Sequence, residues 1–224
     1  LSPDEEWIVA YEGSPFPRNW LYKTRSGVRQ PLVTATSTGR ESPAIWSHDS
    51  RALYFAAAEL IVRQSVLPGE APDPVTPPLG RMLIPQDVTS DGRELIATSW
   101  TGNEVFRIDL KAPLQKRTPE RIASGQRARL SPDGKSLLLN DRNRLFSASY
   151  PSSRGADSIR ELPGVRSSYP IFSRDGRELF APNTFGMYSY PLLPAPDGAF
   201  RLGQQSLLFR FSYPLLSSAN IISA

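Results

Sequence analysis

Cysteine is absent from all 224 residues, and histidine occurs once. The first absence excludes disulfides, thiol nucleophiles, iron–sulfur clusters and Cys-based zinc sites. The second excludes any two-His metal centre and leaves one imidazole for acid–base work. Long apolar runs are missing too. The longest nearly apolar stretch, Leu53 to Val62, is interrupted by Glu59 and is too short to span a bilayer. No signal or transit segment precedes Leu1, which already lies in a structural motif, so the sequence reads as a fragment or trimmed domain. Proline (22) and glycine (15) together stay below a low-complexity composition. The net charge is +4, with 26 Lys and Arg against 22 Asp and Glu, which is compatible with an acidic partner but does not require one. A chain of this length can bury about 70% of its unfolded surface, enough for a core without staples.

What is present is a repeat. Five segments align: Leu1 to Tyr11, Trp46 to Ala57, Val88 to Ser99, Leu130 to Asp141 and Phe172 to Asn183. In each, an apolar residue precedes Ser or Thr, one residue is free, and Asp follows. The aspartates are Asp4, Asp49, Asp91, Asp133 and Asp175, spaced by 45, 42, 42 and 42 residues. The chemistry is that of a turn. Proline presets φ, Asp accepts from neighbouring amides, and Gly takes positive φ. The five aspartates are therefore structural, each with a local backbone role.

After every turn comes an apolar run such as Leu53-Tyr54-Phe55 or Leu137-Leu138-Leu139, read as a strand buried on both faces. A second strand candidate begins 12 to 16 residues beyond each aspartate: Trp20 to Tyr22, Ile61-Val62, Val105 to Ile108, Leu145-Phe146 and Met187-Tyr188. A third lies about 30 residues on, at Pro31 to Val33, Arg121 to Ala123, Arg160 to Leu162 and Ser206 to Phe209. The corresponding stretch of the second unit, Asp73 to Leu79, is proline-rich and a poor strand. With the strand before the turn, each unit holds four short strands, the content of one propeller blade. The expectation is a single all-β domain over residues 1–224: a β-propeller of about five four-stranded blades, with units starting near 1, 46, 88, 130 and 172, and minimal helix. The segment Ala219 to Ala224 falls where a strand preceding a sixth turn would lie. It either joins the first unit to close a five-bladed ring, or the five units are consecutive blades of a larger ring; closure would satisfy exposed edges.

The Ser-Pro-Asp-Gly turn followed by Leu and two apolar residues resembles the TolB-like (WD40-like) propeller repeat of bacterial proteins. The likeness covers the whole chain and is fullest in units four and five. Glu5 and Ser50 stand in place of Gly, and His48, Ser90 and Arg174 in place of Pro. The stretch Tyr169 to Phe209 is similar to the final blades of propellers attached to bacterial serine/threonine kinases and winged-helix regulators. In such relatives the propeller is a sensing or interaction region. The repeat is shared with gating propellers of prolyl-oligopeptidase-type peptidases.

Other features invite chemistry. Ser47-His48-Asp49 suggests a triad, but strand alternation points His48 away from its neighbours, triads assemble from distant positions, and no G-x-S-x-G elbow occurs. The motif is a turn. Carboxylates outside the turns, including Glu12, Glu41, Glu59, Glu104 and Asp141, cannot be paired from sequence into a glycosidase set. Lys111, Lys116, Arg117, Arg121, Arg127 and Arg129 form a basic stretch without interleaved aromatics, which reads as solvated loops on one rim rather than a nucleic-acid surface. Loops on a rigid scaffold carry function, and Tyr, Trp and Arg favour interfaces. The candidate binding residues are accordingly Tyr11, Phe16, Arg18, Trp20, Trp100, Arg117 and Arg121, with Trp20 and Trp100 alternatively blade core. The expected function is a non-catalytic binding or sensing module of a larger bacterial signalling protein, with a protein or small ligand as partner, no cofactor or metal, no nucleic acid, and a monomeric state. The resemblance places it outside the cytoplasm or in the periplasm, with a cytoplasmic location as the alternative. The other reading is an accessory propeller gating a serine hydrolase whose catalytic domain lies elsewhere.

Overall fold

The computed structural model describes residues 1–12, 18–32, 41–67, 69–101, 103–151 and 159–212. Twenty strands and one three-residue turn of 3-10 helix, Leu114–Lys116, make up its regular structure. Five antiparallel sheets follow one another along the chain. The first holds β1 (Trp7–Glu12), β2 (Arg18–Lys23) and β3 (Arg29–Pro31); the second β4 (Ile45–Trp46), β5 (Ala52–Ala57), β6 (Leu60–Ser65) and β7 (Asp73–Pro74). The third holds β8 (Leu83–Val88), β9 (Glu94–Ser99), β10 (Val105–Asp109) and β11 (Glu120–Ala123). The fourth holds β12 (Arg127–Leu130), β13 (Ser136–Asp141), β14 (Arg144–Ser149) and β15 (Arg160–Arg166). The fifth holds β16 (Ile171–Phe172), β17 (Glu178–Pro182), β18 (Gly186–Pro194), β19 (Phe200–Leu202) and β20 (Ser206–Arg210). The chain is all-β, and these sheets are the blades of a five-bladed β-propeller fold.

The repeat turns share one hydrogen-bond pattern; in the second to fifth blades they join the first and second strands, and in the first blade the turn leads into β1. In the fourth blade the Ser131 hydroxyl donates to Asp133 Oδ1 (2.6 Å) and accepts from the Ser136 amide (2.9 Å), while the Lys135 amide donates to Asp133 Oδ1 (3.0 Å). The same contacts recur around Asp4, Asp49, Asp91 and Asp175. The residue after Asp is always left-handed: Glu5 (φ 64°), Ser50 (61°), Gly92 (67°), Gly134 (69°) and Gly176 (68°). That is the physical reason for the glycine of the repeat.

The strands after the turns carry the core. β5 is buried at all six positions, and β9 and β13 at five of six. β1 is buried only at Val9, against the expectation of burial on both faces; among the described residues it is the edge strand of a three-stranded sheet. The segment Ala219 to Ala224, expected to supply the strand beside it, lies outside the described residues. The third strands begin or end away from expectation: β3 is Arg29–Pro31, not Pro31 to Val33, and β15 continues to Arg166. The proline-rich stretch forms only the two-residue β7. In the last blade two strands share one neighbour. β19 pairs with the C-terminal half of β18 and β20 with its N-terminal half.

The chain divides into two compact units: over the described residues, Leu1–Gly102 with Phe106–Arg121 form the first, and Asn103–Val105 with the described residues after Arg121 form the second. The first has two apolar clusters. Val9, Leu21, Leu53, Phe55 and Val62 fill one; Ile61, Leu83, Leu95, Phe106 and Ile108 fill the other. In the second unit Leu138, Leu145, Leu179, Tyr190 and Phe200 pack together. Among the described residues, no helix is long and apolar enough to cross a membrane.

Candidate recognition surface

Within any blade, the repeat turn marks one end. The opposite end is made by the connection that follows the strand after the turn (β1–β2, β5–β6, β9–β10, β13–β14 and β17–β18). The candidate residues distribute by this rule. Tyr11 and Arg18 flank the β1–β2 connection, and Trp100 occupies the β9–β10 connection. All three therefore stand at loop ends. Phe16 lies outside the described residues.

Tyr11 donates from its hydroxyl to the Glu41 carbonyl (2.6 Å). Burial, then the nearby Glu41 charge, pushes its phenol up. Glu41 is itself buried, beside the Asn19 amide group (3.4 Å). Asn19 also donates to the Ser42 carbonyl (2.9 Å) and accepts from the Ala44 amide (3.0 Å). This buried polar knot ties β2 to the segment entering the second blade. The sequence offered no signal for Asn19; its neighbours in the knot lie more than twenty residues away.

Trp20 is half-buried and belongs to a side-chain stack. The Arg29 guanidinium lies 3.7 Å from the Trp20 ring centre and 5.7 Å from that of Tyr22. Arg29 also pairs with Glu12 (3.0 Å), and the Tyr22 hydroxyl donates to the same carboxylate. That hydrogen bond, first of all, raises the Tyr22 phenol. Trp100 is 49% exposed. Of the two tryptophans, Trp100 is the one offered to solvent.

The basic stretch is divided. Lys111, Lys116 and Arg117 lie between β10 and β11, at the end of the third blade that bears Asp91, and Arg121 starts β11 beside them. Arg127 stands at the opposite end of the fourth blade, away from Asp133. Arg117 serves packing: it donates to the Ala112 carbonyl (2.9 Å) and the Val75 carbonyl (3.0 Å).

Ser47-His48-Asp49 forms a turn in which Ser47 donates to Asp49 (2.6 Å) and His48 Nε2 lies 2.8 Å from the Val88 carbonyl oxygen. The imidazole thus reaches the third blade rather than Ser47. The five repeat aspartates are all held below the usual carboxylate range, first by the Ser or Thr hydroxyl two residues before each. Among the described residues, no group of three His, Cys, Asp or Glu side chains is placed to hold a metal ion.

One loop end is more elaborate than the rest. In the second unit, three segments meet around the β13–β14 turn, where Arg142 (φ 48°) and Asn143 (φ 67°) are both left-handed. The Arg142 amide donates to Gln126 Oε1 (3.4 Å), Ser168 Oγ donates to Asn143 Oδ1 (2.7 Å), and the Ser167 amide donates to the Asn143 carbonyl (3.1 Å). The Asn140 side-chain amide donates to the Ser167 carbonyl. On this frame the Arg127 guanidinium sits 4.3 Å from the Tyr169 ring centre.

No protein-family model matches the chain, and no curated protein matches it. Solved structures do. TolB from Acinetobacter baumannii is 17% identical, with a TM-score of 0.62 over 93% of this chain and 53% of that one. The periplasmic gluconolactonase of Pseudomonas aeruginosa is 17% identical, with a TM-score of 0.59 over 96% of this chain and 69% of the other. The chain spans about half the length of the TolB structure. At this identity the likeness is one of fold, and the fold they share with this chain is the β-propeller.

Proposed function

We propose that the chain is a non-catalytic recognition module of a larger bacterial protein, acting in sensing or signalling outside the cytoplasm and binding a protein or small ligand through the loop ends of its blades. One observation carries the reading. The side chains suited to recognition, Trp100 and the Arg127–Tyr169 pair, stand on loop ends, whereas the repeat aspartates are engaged in turns at the other end of each blade. Rigid strands with varied loops are the usual plan of a binding scaffold. The extracytoplasmic placement is supported by the description of one structural neighbour as periplasmic.

The test has two arms. The purified chain is assayed against gluconolactone, a generic ester and a generic peptide; no turnover above background is expected. It is also immobilised and challenged with a cell-envelope extract, with Trp100→Ala and Arg127→Ala as comparisons. Capture of a defined component that is lost in both variants supports the proposal. A saturable hydrolytic rate abolished by one loop-end substitution overturns it.

A further inference from the structure

Among the described residues, Arg29, Arg93, Arg107, Arg144, Arg160 and Arg177 each pair with a carboxylate within 4 Å. Arg127 and Arg129 do not; among the described residues neither has an ion-pair partner. They are two residues apart on β12, so they project from the same face, opposite Asn140 and Leu138 of β13. Their buried neighbours Ala128 and Leu130 project from the other face. Two guanidiniums at this spacing, about 7 Å along the strand, repel one another. β12 is moreover an edge strand of its sheet, with β13 on one side only.

The surroundings are prepared. The Tyr169 ring beneath Arg127 limits the orientations its guanidinium can take, and a pre-set planar fork loses less entropy on binding a carboxylate or phosphate. Ser168, beside Tyr169, is pinned to Asn143, and Gln126, beside Arg127, reaches the amide of Arg142. A third guanidinium, that of the exposed Arg142, belongs to the same loop cluster. The acidic residue of the cluster, Asp141, follows Asn140 along β13 and therefore projects from the opposite face to Arg127.

We propose that Arg127 and Arg129, oriented by Tyr169 and backed by Arg142, form a binding site for a small polyanion carrying two oxyanion groups about one side-chain spacing apart. The shared chemistry is bidentate recognition of carboxylate or phosphate by arginine. The inference rests on the reading of the chain as a recognition module and names the ligand class one of its loop ends takes.

The probes are citrate, for carboxylates, and pyrophosphate, for phosphates, titrated calorimetrically at low and at physiological ionic strength. Saturable one-to-one binding of at least one probe is expected. It should weaken at least tenfold in Arg127→Ala and in Arg129→Ala. Arg127→Lys, which keeps the charge but loses the fork, should fall between. Arg93→Ala, which removes a turn arginine paired with Asp91, should bind as the parent does. Thermal melts of each variant check that the fold is kept. A preference between citrate and pyrophosphate assigns the source of the oxyanion. No binding of either probe, or binding weakened equally in all variants and abolished by salt, overturns the proposal. That failure is separate from failure of the recognition reading, which would appear as turnover in the substrate assays while the calorimetry stood.

Discussion

Glu5 occupies, with φ 64°, the turn position that three other repeats fill with glycine at nearly the same angle. An L-residue held in the left-handed region costs about 1–2 kcal/mol. Glycine removes that cost but gives back about 0.5–1 kcal/mol through the greater freedom of its unfolded chain. Glu5→Gly should therefore stabilise the protein by about 0.5–1 kcal/mol, or roughly 1–4 °C in Tm for a chain of this size. The reciprocal change is Gly134→Ala. A Cβ built there meets nothing within 4 Å, so its cost is conformational rather than steric. It should lower Tm by a similar or slightly larger amount. Ser50 is the internal control. It has φ 61°, yet its hydroxyl accepts the Asp4 amide across two blades (3.0 Å), so Ser50→Gly relieves strain and loses a part-buried hydrogen bond. The two effects should cancel or leave a net loss of about 1 kcal/mol. Differential scanning calorimetry on the three variants reads all of this directly. If Glu5→Gly melts lower than the parent while Gly134→Ala is unchanged, the left-handed turn is not what selects glycine in the repeat, and the reasoning is refuted.

Asp133→Ala removes the acceptor for Ser131 and Lys135 and should cost about 1 kcal/mol, with Asp175→Ala also lowering Tm; unchanged melting in both would remove the turn assignment. Because the folded state depresses all five repeat aspartates, their contribution is fully present above about pH 4, their unfolded range, and is lost as pH falls through the lower folded values. Urea midpoints should accordingly be flat from pH 7 to 5 and fall steeply below 4, and the fall should be shallower in Asp133→Ala. Asn19→Ala should be among the most damaging single changes, about 2–4 kcal/mol, since it strands a buried carbonyl, a buried amide and the neighbourhood of Glu41 together; a loss below 1 kcal/mol by chemical denaturation would contradict the buried knot. Gly186→Ala would push a Cβ against the Phe209 carbonyl and should detach β20 from β18, seen as lost amide-exchange protection at Leu207 and Phe209 before any global change; retained protection would count against that close approach.

The repeat was legible because its chemistry is local. A hydroxyl, an aspartate and a left-handed residue within four positions complete a turn without help from elsewhere, so Ser131, Asp133 and Gly134 announce themselves. The strands after the turns were legible for the same reason, as unbroken apolar runs. What escaped depends on partners distant in sequence. Asn19 is a buried knot only because Glu41, Ser42 and Ala44 come to it, and nothing near Asn19 marks that. Arg117 looked like part of a charged patch until the carbonyls of Ala112 and Val75 claimed its guanidinium. Arg127 and Arg129 look in sequence like its neighbours, yet they stand on β12 of the fourth blade, Arg127 at the end away from Asp133. β19 was hidden because its partner β18 is nine residues long and divides its edge between two strands, a choice made by pairing rather than by composition.

The chain also contains its own comparison of what is fixed and what varies. Five turn ends repeat one bonding scheme with little change of residue. Among the described residues, the opposite ends carry Glu12 and Arg18 in the first blade, a tight corner at Ala58 in the second, Trp100 in the third, a left-handed pair at Arg142 and Asn143 in the fourth, and Phe185 in the fifth. Each turn satisfies its own backbone without drawing on the far end of the blade. A loop that takes no part in a buried knot such as that of Asn19 can therefore be exchanged, lengthened or recharged with little penalty to the strands beneath it. In engineering terms the molecule is a rack of five interchangeable tips, and a new specificity could be grafted onto one tip while the other four are left as they are.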